Sequence, residues 1–366
     1  MADSVITGGS STGGVEGLIN PEAKQIFDDV LNSLSDSDKA LLDELAGGTS
    51  GTIEVAQIPG TDAKYVQAVN THTPKLVSDD STPDPNDTIP DPNDWASGKS
   101  IDETVSKLIS TPSDSTVFDV PSGDLDFRIN LPAGVDLQIQ GPAVDVTVFQ
   151  ATEYFGALVE GWIPGESTYK DSFNSAVARA MDNSGDGTSV RLITPGDDSA
   201  AGVGNLVLSG SSANETVVIN MYGVNAGRIV EIQDFNSTVL LGGGTVNVKG
   251  VAGAFVTGDD ANQKITGNAG NDTLIGGGGS DVLTGGSGSD VFGVGFDGDT
   301  MITDFSAGDK LFFEGSGTLQ NFLQAEISTV NLGSFVVTDV ASNGHHIYLV
   351  GVDPSTLTLD MIKFTI

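Results

Sequence analysis

Acidic residues recur at a fixed interval in one glycine-rich part of the chain. Four aspartates lie nine residues apart, at Asp272, Asp281, Asp290 and Asp299. Carboxylates that are brought close together repel each other unless a cation lies between them. Calcium suits such a cluster because it is a hard cation that accepts about six to eight carboxylate and carbonyl oxygens in irregular geometry. The spacing therefore predicts calcium binding.

Apolar residues repeat with the same period as the aspartates. They are Val256, Ile265, Leu274, Leu283, Phe292 and Met301. Glycines fill the segments between them, and glycine adopts turn conformations that other residues avoid. One unit of turn and strand makes half a coil, so two units complete one turn of a flattened parallel β-roll. No unit buries its apolar residue alone, so neighbouring coils must stack. A flexible Gly/Ser/Asp linker would have no reason to keep this spacing.

These units resemble the calcium-binding RTX repeat, whose signature is G-G-x-G-x-D-x-apolar-x. The four units begin at Gly258, Gly267, Gly276 and Gly285. The resemblance implies one calcium ion between turns that lie eighteen residues apart. Asp272 would then pair with Asp290, and Asp281 with Asp299.

The resemblance also implies ligands from the backbone of the turns. The carbonyls concerned belong to Asn268, Gly270, Gly277, Gly279, Gly286 and Gly288. Only three units match the signature well, because the first has Gln263 in place of the sixth-position aspartate. We therefore expect about two or three calcium ions, and we expect the first unit to stack without a full site.

The segment after the repeats also resembles members of this family. Residues 299–313 are similar to the capping segment of serralysin-like C-terminal domains. Family members carry an uncleaved C-terminal signal, so the resemblance implies that the type I secretion machinery is a partner. The first residues show no basic and apolar leader of the usual secretory kind.

The charge balance restricts the classes of partner. Fifty acidic residues face fifteen basic ones, for a formal net charge of −35. Such a surface repels nucleic acids and anionic membranes, so neither is an expected partner. No apolar run has the length that a membrane span needs. The absence of cysteine excludes disulfides and thiolate metal sites.

Catalytic motifs common among RTX enzymes are not found in the sequence. A zinc protease needs two histidines one helical turn apart with a glutamate between them, and a lipase needs G-x-S-x-G. The three histidines are His72, His345 and His346, which do not have that spacing. Paired carboxylates for glycoside hydrolysis remain an open alternative, since no pair is singled out.

The elements that position the repeats divide the chain into five parts. Residues 1–50 are expected to form a flexible start and a helical hairpin, and residues 51–99 an acidic Pro/Asp-rich linker. Residues 100–240 are expected to form a β-rich domain with one helix, at about Ser167–Met181, after a short capped helix at Ser100–Ile109. The β-roll then spans 241–303, and a C-terminal β cap with the secretion signal spans 304–366. The expected fold is mostly β, a parallel β-roll or β-solenoid with an irregular β-domain and a small N-terminal helical region.

These features favour a secreted bacterial protein at the cell surface or in the extracellular space. We expect a calcium-binding structural or adhesive protein rather than an enzyme, such as a surface-layer, filament or biofilm-matrix subunit. Its expected partners are calcium ions, further copies of itself and components of the cell surface or matrix. The alternatives are a secreted polysaccharide hydrolase with an RTX tail and a calcium-dependent binding module that does not assemble.

Overall fold

The computed structural model describes most of the C-terminal two-thirds of the chain and parts of the rest. The described residues are 6–8, 52–57, 64–72, 101–109, 115–122, 125–142, 145–159, 167–185, 188–197, 204–210, 214–225, 227–294, 298–313, 326–331, 336–342 and 345–363. The helical hairpin expected within residues 1–50 lies outside this part. So does most of the expected linker.

Two long sheets make up the described structure. The first sheet contains, in spatial order, β1 (Ile6–Gly8), β2 (Thr52–Gln57), β3 (Lys64–His72), β4 (Ile101–Ile109), β7 (Val135–Pro142), β8 (Ser189–Asp197), β10 (Glu215–Asn220), β12 (Ser237–Leu241), β14 (Phe255–Thr257), β16 (Thr273–Ile275), β18 (Val291–Val294), β20 (Lys310–Phe313) and β24 (Ile362–Lys363). The second sheet contains β5 (Thr116–Ser122), β6 (Leu125–Leu131), β9 (Leu206–Ser209), β11 (Ile229–Gln233), β13 (Gly244–Val248), β15 (Gln263–Thr266), β17 (Gly279–Thr284), β19 (Gly298–Ile302), β23 (His345–Val350), β22 (Val336–Ser342) and β21 (Glu326–Asn331).

From β8 onward the chain alternates between the two sheets and forms a β-solenoid. Each strand pairs in parallel with the strand one coil earlier, as in the pairs β10–β12 and β15–β17. Antiparallel strands flank the solenoid at both ends: β4 and β7 before it, β21 and β22 after it. The mostly β, solenoid-like fold is therefore confirmed. The boundary expected at residue 240 is not a structural boundary, because β12 runs through it and the coils begin earlier.

The space between the two sheets is filled by the periodic apolar residues. Val256 pairs with Leu274 and Leu274 with Phe292 in the first sheet, and all three are fully buried. Ile265 and Leu283 form the facing row in the second sheet. Stacking these residues removes apolar surface from water in every coil, which is the main stabilisation available to a repeat fold.

Two helices cover the outer face of the first sheet. They are α1 (Val148–Val159) and α2 (Ser167–Ser184), and α2 confirms the helix expected near Ser167–Met181. Phe155 of α1 and Phe173 of α2 are buried against outward-facing strand residues such as Val239. No helix in the described ranges is long and apolar enough to cross a membrane.

The sequence did not predict α1, so the expectation that one helix alone interrupts the strands of residues 100–240 was wrong. The alternation of Val144, Val146 and Val148 is typical of a strand, yet Val146 makes an isolated β-bridge with Thr188 and Val148 is the first residue of the helix. The helix begins with a capping box, because Thr147 Oγ1 accepts from Gln150 N and Gln150 Oε1 accepts from Thr147 N. That Thr-x-x-Gln pattern is the signal that could have identified the helix.

Residues 101–109 form a strand, so the helix expected at Ser100–Ile109 was wrong. Strand β4 pairs antiparallel with β3 on one side and β7 on the other. Pairing on both edges outweighs a local capping signal, because tertiary context routinely overrides propensity. Strands β2 and β3 likewise lie inside the span expected to be a linker, so 51–99 is not irregular throughout.

Candidate metal centre

The turns of the nine-residue units stack at two opposite edges of the solenoid. The first edge contains the turns 258–262 and 276–280, and the second edge contains 267–271, 285–289 and 304–309. Backbone bonds connect successive turns, with Gly278 N donating to Asp259 O at 3.0 Å and Ser287 N donating to Asn268 O at 3.0 Å. Each edge therefore places equivalent residues directly above one another.

Buried aspartates connect consecutive coils along these edges. On the second edge, Asp290 Oδ1 accepts from Asp272 N at 2.8 Å, and Asp309 Oδ1 accepts from Asp290 N at 2.9 Å. On the first edge, Asp281 Oδ1 accepts from Gln263 N at 2.8 Å. All four of these aspartates are no more than 2% exposed. We call Asp272, Asp281, Asp290 and Asp309 the carboxylate ladder.

The second carboxylate oxygen, Oδ2, of the sixth-position aspartate lies against the first-position glycine of the same unit. A Cβ built on Gly267 would lie 2.3 Å from Asp272 Oδ2, and one on Gly285 would lie 2.3 Å from Asp290 Oδ2. The glycine that opens each unit thus leaves the space that the carboxylate occupies. This packing explains why the unit needs both a first-position glycine and a sixth-position aspartate.

Replacing Gly286 with alanine is expected to destabilise the solenoid by more than backbone strain alone. Gly286 has φ +100°, and a Cβ there would lie 2.0 Å from Asn268 O. A strained φ costs about 1–3 kcal/mol, and the clash with a backbone atom of the previous coil adds to it. Urea unfolding in calcium measures the effect. Gly185→Ala is the matched control, because Gly185 has φ +86° with nothing within 4 Å; equal losses for both variants would contradict the close-packing argument.

Burial makes negative charge unfavourable at three of the ladder aspartates, Asp272, Asp281 and Asp290. It raises the pKa of Asp281 to about 7, opposed by the hydrogen bond from Gln263 N and assisted by the charge of Asp259. Burial also raises the pKa of Asp272. For Asp290, burial and then the neighbouring carboxylates, including Asp309, raise the pKa. A bound cation would remove this penalty because it favours the ionised form.

The residues present fit calcium. Asp281 Oδ2 is buried and accepts no hydrogen bond in the described structure, so it is an oxygen without a partner at the first edge. Within the described ranges, no three His, Cys, Asp or Glu side chains converge on one point. The stacked turns also present backbone carbonyls, such as Gly276 O and Gly285 O, and a shell of carboxylate and carbonyl oxygens is the set that calcium prefers.

The structure brings together most of the ligands expected from the resemblance. Asp272 and Asp290 lie on the second edge with the turn residues Asn268, Gly270, Gly286 and Gly288. A Cβ on Gly288 would lie 2.2 Å from Gly270 O, which shows how closely these two turns approach. Asp281 lies on the first edge with Gly277 and Gly279. Their role as ligands stays a proposal.

Asp299 does not join Asp281, so that expected pair was wrong. Strand pairing places Lys264 against Val282, 18 residues later, but Val282 against Met301, 19 residues later. Asp281 consequently faces Thr300, and Asp299 Oδ1 accepts from His346 N at 2.9 Å. The same shift buries Ile302 in the core instead of Met301. The extra residue cannot be recognised from the nine-residue spacing in the sequence, because glycine recurs throughout the stretch 293–298 and no position in it stands out as inserted.

Two acidic residues on the second edge were missed by the sequence reasoning. Asp309 occupies the ladder position above Asp290, 19 residues later, and Asp309 Oδ2 also accepts from Ser306 N at 2.7 Å. Asp304 accepts from Gly285 N at 2.9 Å and Gly286 N at 2.8 Å. Once the insertion is allowed for, Asp309 continues the aspartate series, and this is the signal that could have found it.

Comparisons with known proteins agree with the geometry of the repeats. Residues 257–292 match the RTX calcium-binding nonapeptide repeat in four copies. This part of the chain is therefore a calcium-binding RTX region, and calcium is its cofactor. The repeats alone do not indicate catalysis.

Whole-chain comparisons add little to this result. The extracellular lipase LipA from Serratia marcescens is similar in structure, with a TM-score of 0.20 and 15% identity; the match covers 41% of this chain and 40% of the lipase. No curated protein sequence matches the chain.

Proposed function

We propose that this calcium-binding protein is a secreted structural or adhesive subunit that folds on extracellular calcium and assembles with further copies of itself. The carboxylate ladder is the observation that carries the proposal. Its aspartates are buried, stacked across coils and close to other acids, in a chain with a net charge of −35. Self-repulsion of this size opposes compaction. Calcium in the turns would offset it and make folding depend on the ion.

Dependence on calcium suits a protein that works outside the cell. Extracellular calcium modules bind with dissociation constants of roughly 10⁻⁴–10⁻³ M, which is far above the free calcium concentration in a cytosol. The repeat coils of such a chain would be much less stable inside the cell, so a larger fraction of the chains would be unfolded before export. This behaviour supports export of an unfolded chain, and the type I secretion machinery is the partner that we propose for it.

Assembly is supported by the two ends of the second sheet. Strands β5 and β21 are its outermost strands, and no described strand pairs with the outer edge of either. Val117 on β5 is 43% exposed and Ile327 on β21 is 46% exposed. An open strand edge is a template for pairing with another chain. Because the two edges lie at opposite ends, joining β21 of one copy to β5 of the next would extend the sheet head to tail, and such contacts form open filaments.

Cysteine cross-linking tests this assembly directly, because the natural chain has no cysteine. We expect a mixture of Val117→Cys and Ile327→Cys proteins in millimolar calcium to form a mixed disulfide dimer faster than either variant pairs with itself. Val251→Cys is the control, since Val251 is 79% exposed in a turn away from both edges. Equal rates for all mixtures, or a wild-type protein that stays monomeric in calcium by light scattering, would contradict assembly.

A further inference from the structure

The first repeat, Gly258–Thr266, holds its sixth side chain in the same position as the complete repeats do. A Cβ on Gly258 would lie 2.4 Å from Gln263 Oε1 and 2.3 Å from Gly276 O. The corresponding Cβ on Gly267 would lie 2.3 Å from Asp272 Oδ2 and 2.4 Å from Gly285 O. The amide oxygen of Gln263 therefore occupies the place of a repeat carboxylate oxygen.

Neighbouring acceptors fix the orientation of the Gln263 amide. Its Nε2 donates to Asp259 Oδ1 at 2.7 Å and to Gly242 O at 3.4 Å. A carboxylate and a carbonyl only accept hydrogen bonds, so the nitrogen must face them and the oxygen must face away. Asp259 is fully buried, and its Oδ2 in turn accepts from Gly242 N at 2.6 Å. Asp259 thus acts as a positioning residue for the amide.

Two buried oxygens on the first edge are left without partners. Gln263 Oε1 and Asp281 Oδ2 accept no hydrogen bond in the described structure, and both residues are 2% exposed. They belong to equivalent positions of stacked turns, and Gln263 N donates to Asp281 Oδ1 at 2.8 Å. Leaving polar atoms unpaired in a protein interior costs free energy, so a group that both oxygens can bind would stabilise this edge.

We propose that the first edge binds a calcium ion between the turns 258–262 and 276–280, with Gln263 Oε1 as a neutral ligand and Asp281 as the charged one. Amide and carboxylate oxygens both suit calcium, and the turn carbonyls would complete the shell. With this ion, the first repeat takes part in a calcium site, whereas the repeat signature alone predicted that it stacks without a full site. This site carries one carboxylate ligand fewer than the pair Asp272 and Asp290, so it fills at a higher calcium concentration. The inference rests on calcium binding by the RTX region as a whole.

Calcium titration of the full chain by calorimetry tests the site. The substitution Gln263→Leu removes the amide oxygen at similar size, and we expect the number of bound ions to fall by one, with the loss in the weaker class. Gln138→Leu is the matched control, since Gln138 lies on β7 and bonds Gln140 within the same strand. An unchanged number of ions in Gln263→Leu, with the wild type binding normally, would overturn the inference. A wild type that binds no calcium would instead overturn the proposed function.

Gln263→Asp supplies a second, independent measurement that does not depend on the leucine variant folding. A carboxylate at this position completes the repeat signature, and we expect the weaker class to tighten at least about tenfold, since ligand charge tunes calcium affinity. Affinities equal to those of the wild type would overturn the inference, because the side chain at position 263 would then not contact the ion.

Discussion

Replacing Asp290 with alanine is expected to weaken calcium binding on the second edge by on the order of 100-fold, because charge count among ligands changes calcium affinity over several orders of magnitude. Asp290 lies in the middle of this edge, between Asp272 and Asp309. Its Oδ1 accepts from Asp272 N, and its own N donates to Asp309 Oδ1. The substitution removes a charge and leaves a buried N–H of the previous coil without an acceptor, so both adjacent turns lose support.

Calorimetry and thermal unfolding in calcium measure this effect. Asp119→Ala is the matched control, because the Asp119 side chain is 75% exposed and bonds Arg128 at the surface of β5 and β6. We expect the control to bind and unfold like the wild type. Asp290→Asn separates the two contributions, since it keeps an acceptor for Asp272 N while it removes the charge. Wild-type affinity in Asp290→Ala would exclude Asp290 as a ligand.

The pH dependence of stability is expected to reverse its sign when calcium is added. Burial raises the pKa of Asp281 to about 7 from its ordinary value of 3.8, and it also raises the pKa of Asp272 and of Asp290. Without calcium, the folded state therefore binds more protons than the unfolded state at pH values between 3.8 and about 7. Its stability is therefore highest at low pH and declines as the pH rises toward about 7.

Calcium changes this relation because it binds the ionised carboxylates. Protons then compete with the ion, so calcium affinity falls as the pH drops below about 7. Thermal unfolding across this range, in chelator and in calcium, should give slopes of opposite sign. Asp281→Asn cannot ionise and should flatten the slope in chelator. Parallel slopes under both conditions would show that the ladder does not bind the ion in its ionised form.

The sequence predicted the repeat core well because its signal is strictly local. Val256, Leu274 and Phe292 stack as the nine-residue period requires, since each unit has the same length and contributes one buried apolar residue to the core. The period holds through β18 and fails at β19, where one added residue moves Thr300 and Ile302 into the places expected for Asp299 and Met301. A single insertion reverses which face a side chain takes in a strand, and only the pairing of the strands reveals it.

Other parts of the structure depend on contacts between distant residues. Strand β4 carries a capping signal for a helix but is fixed by pairing with β3 and β7. Gln263 departs from the repeat signature, so the sequence predicted no full calcium site in its unit. Its role as a ligand emerges only from Asp259, which turns the amide, and from the unpartnered oxygen of Asp281. Chemistry of this kind is set by neighbours, not by the residue type at the position.

Hydrogen exchange of the full chain, measured by mass spectrometry in calcium and in chelator, tests the central claim most directly. The solenoid is continuous, but the carboxylate ladder begins only in its later coils. Repeat coils contact only their neighbours, so stability can differ along the stack. We predict that calcium strongly slows exchange in residues 257–292 and 298–313, with a smaller effect on residues 227–248. Equal exchange with and without calcium throughout the repeats would contradict the account.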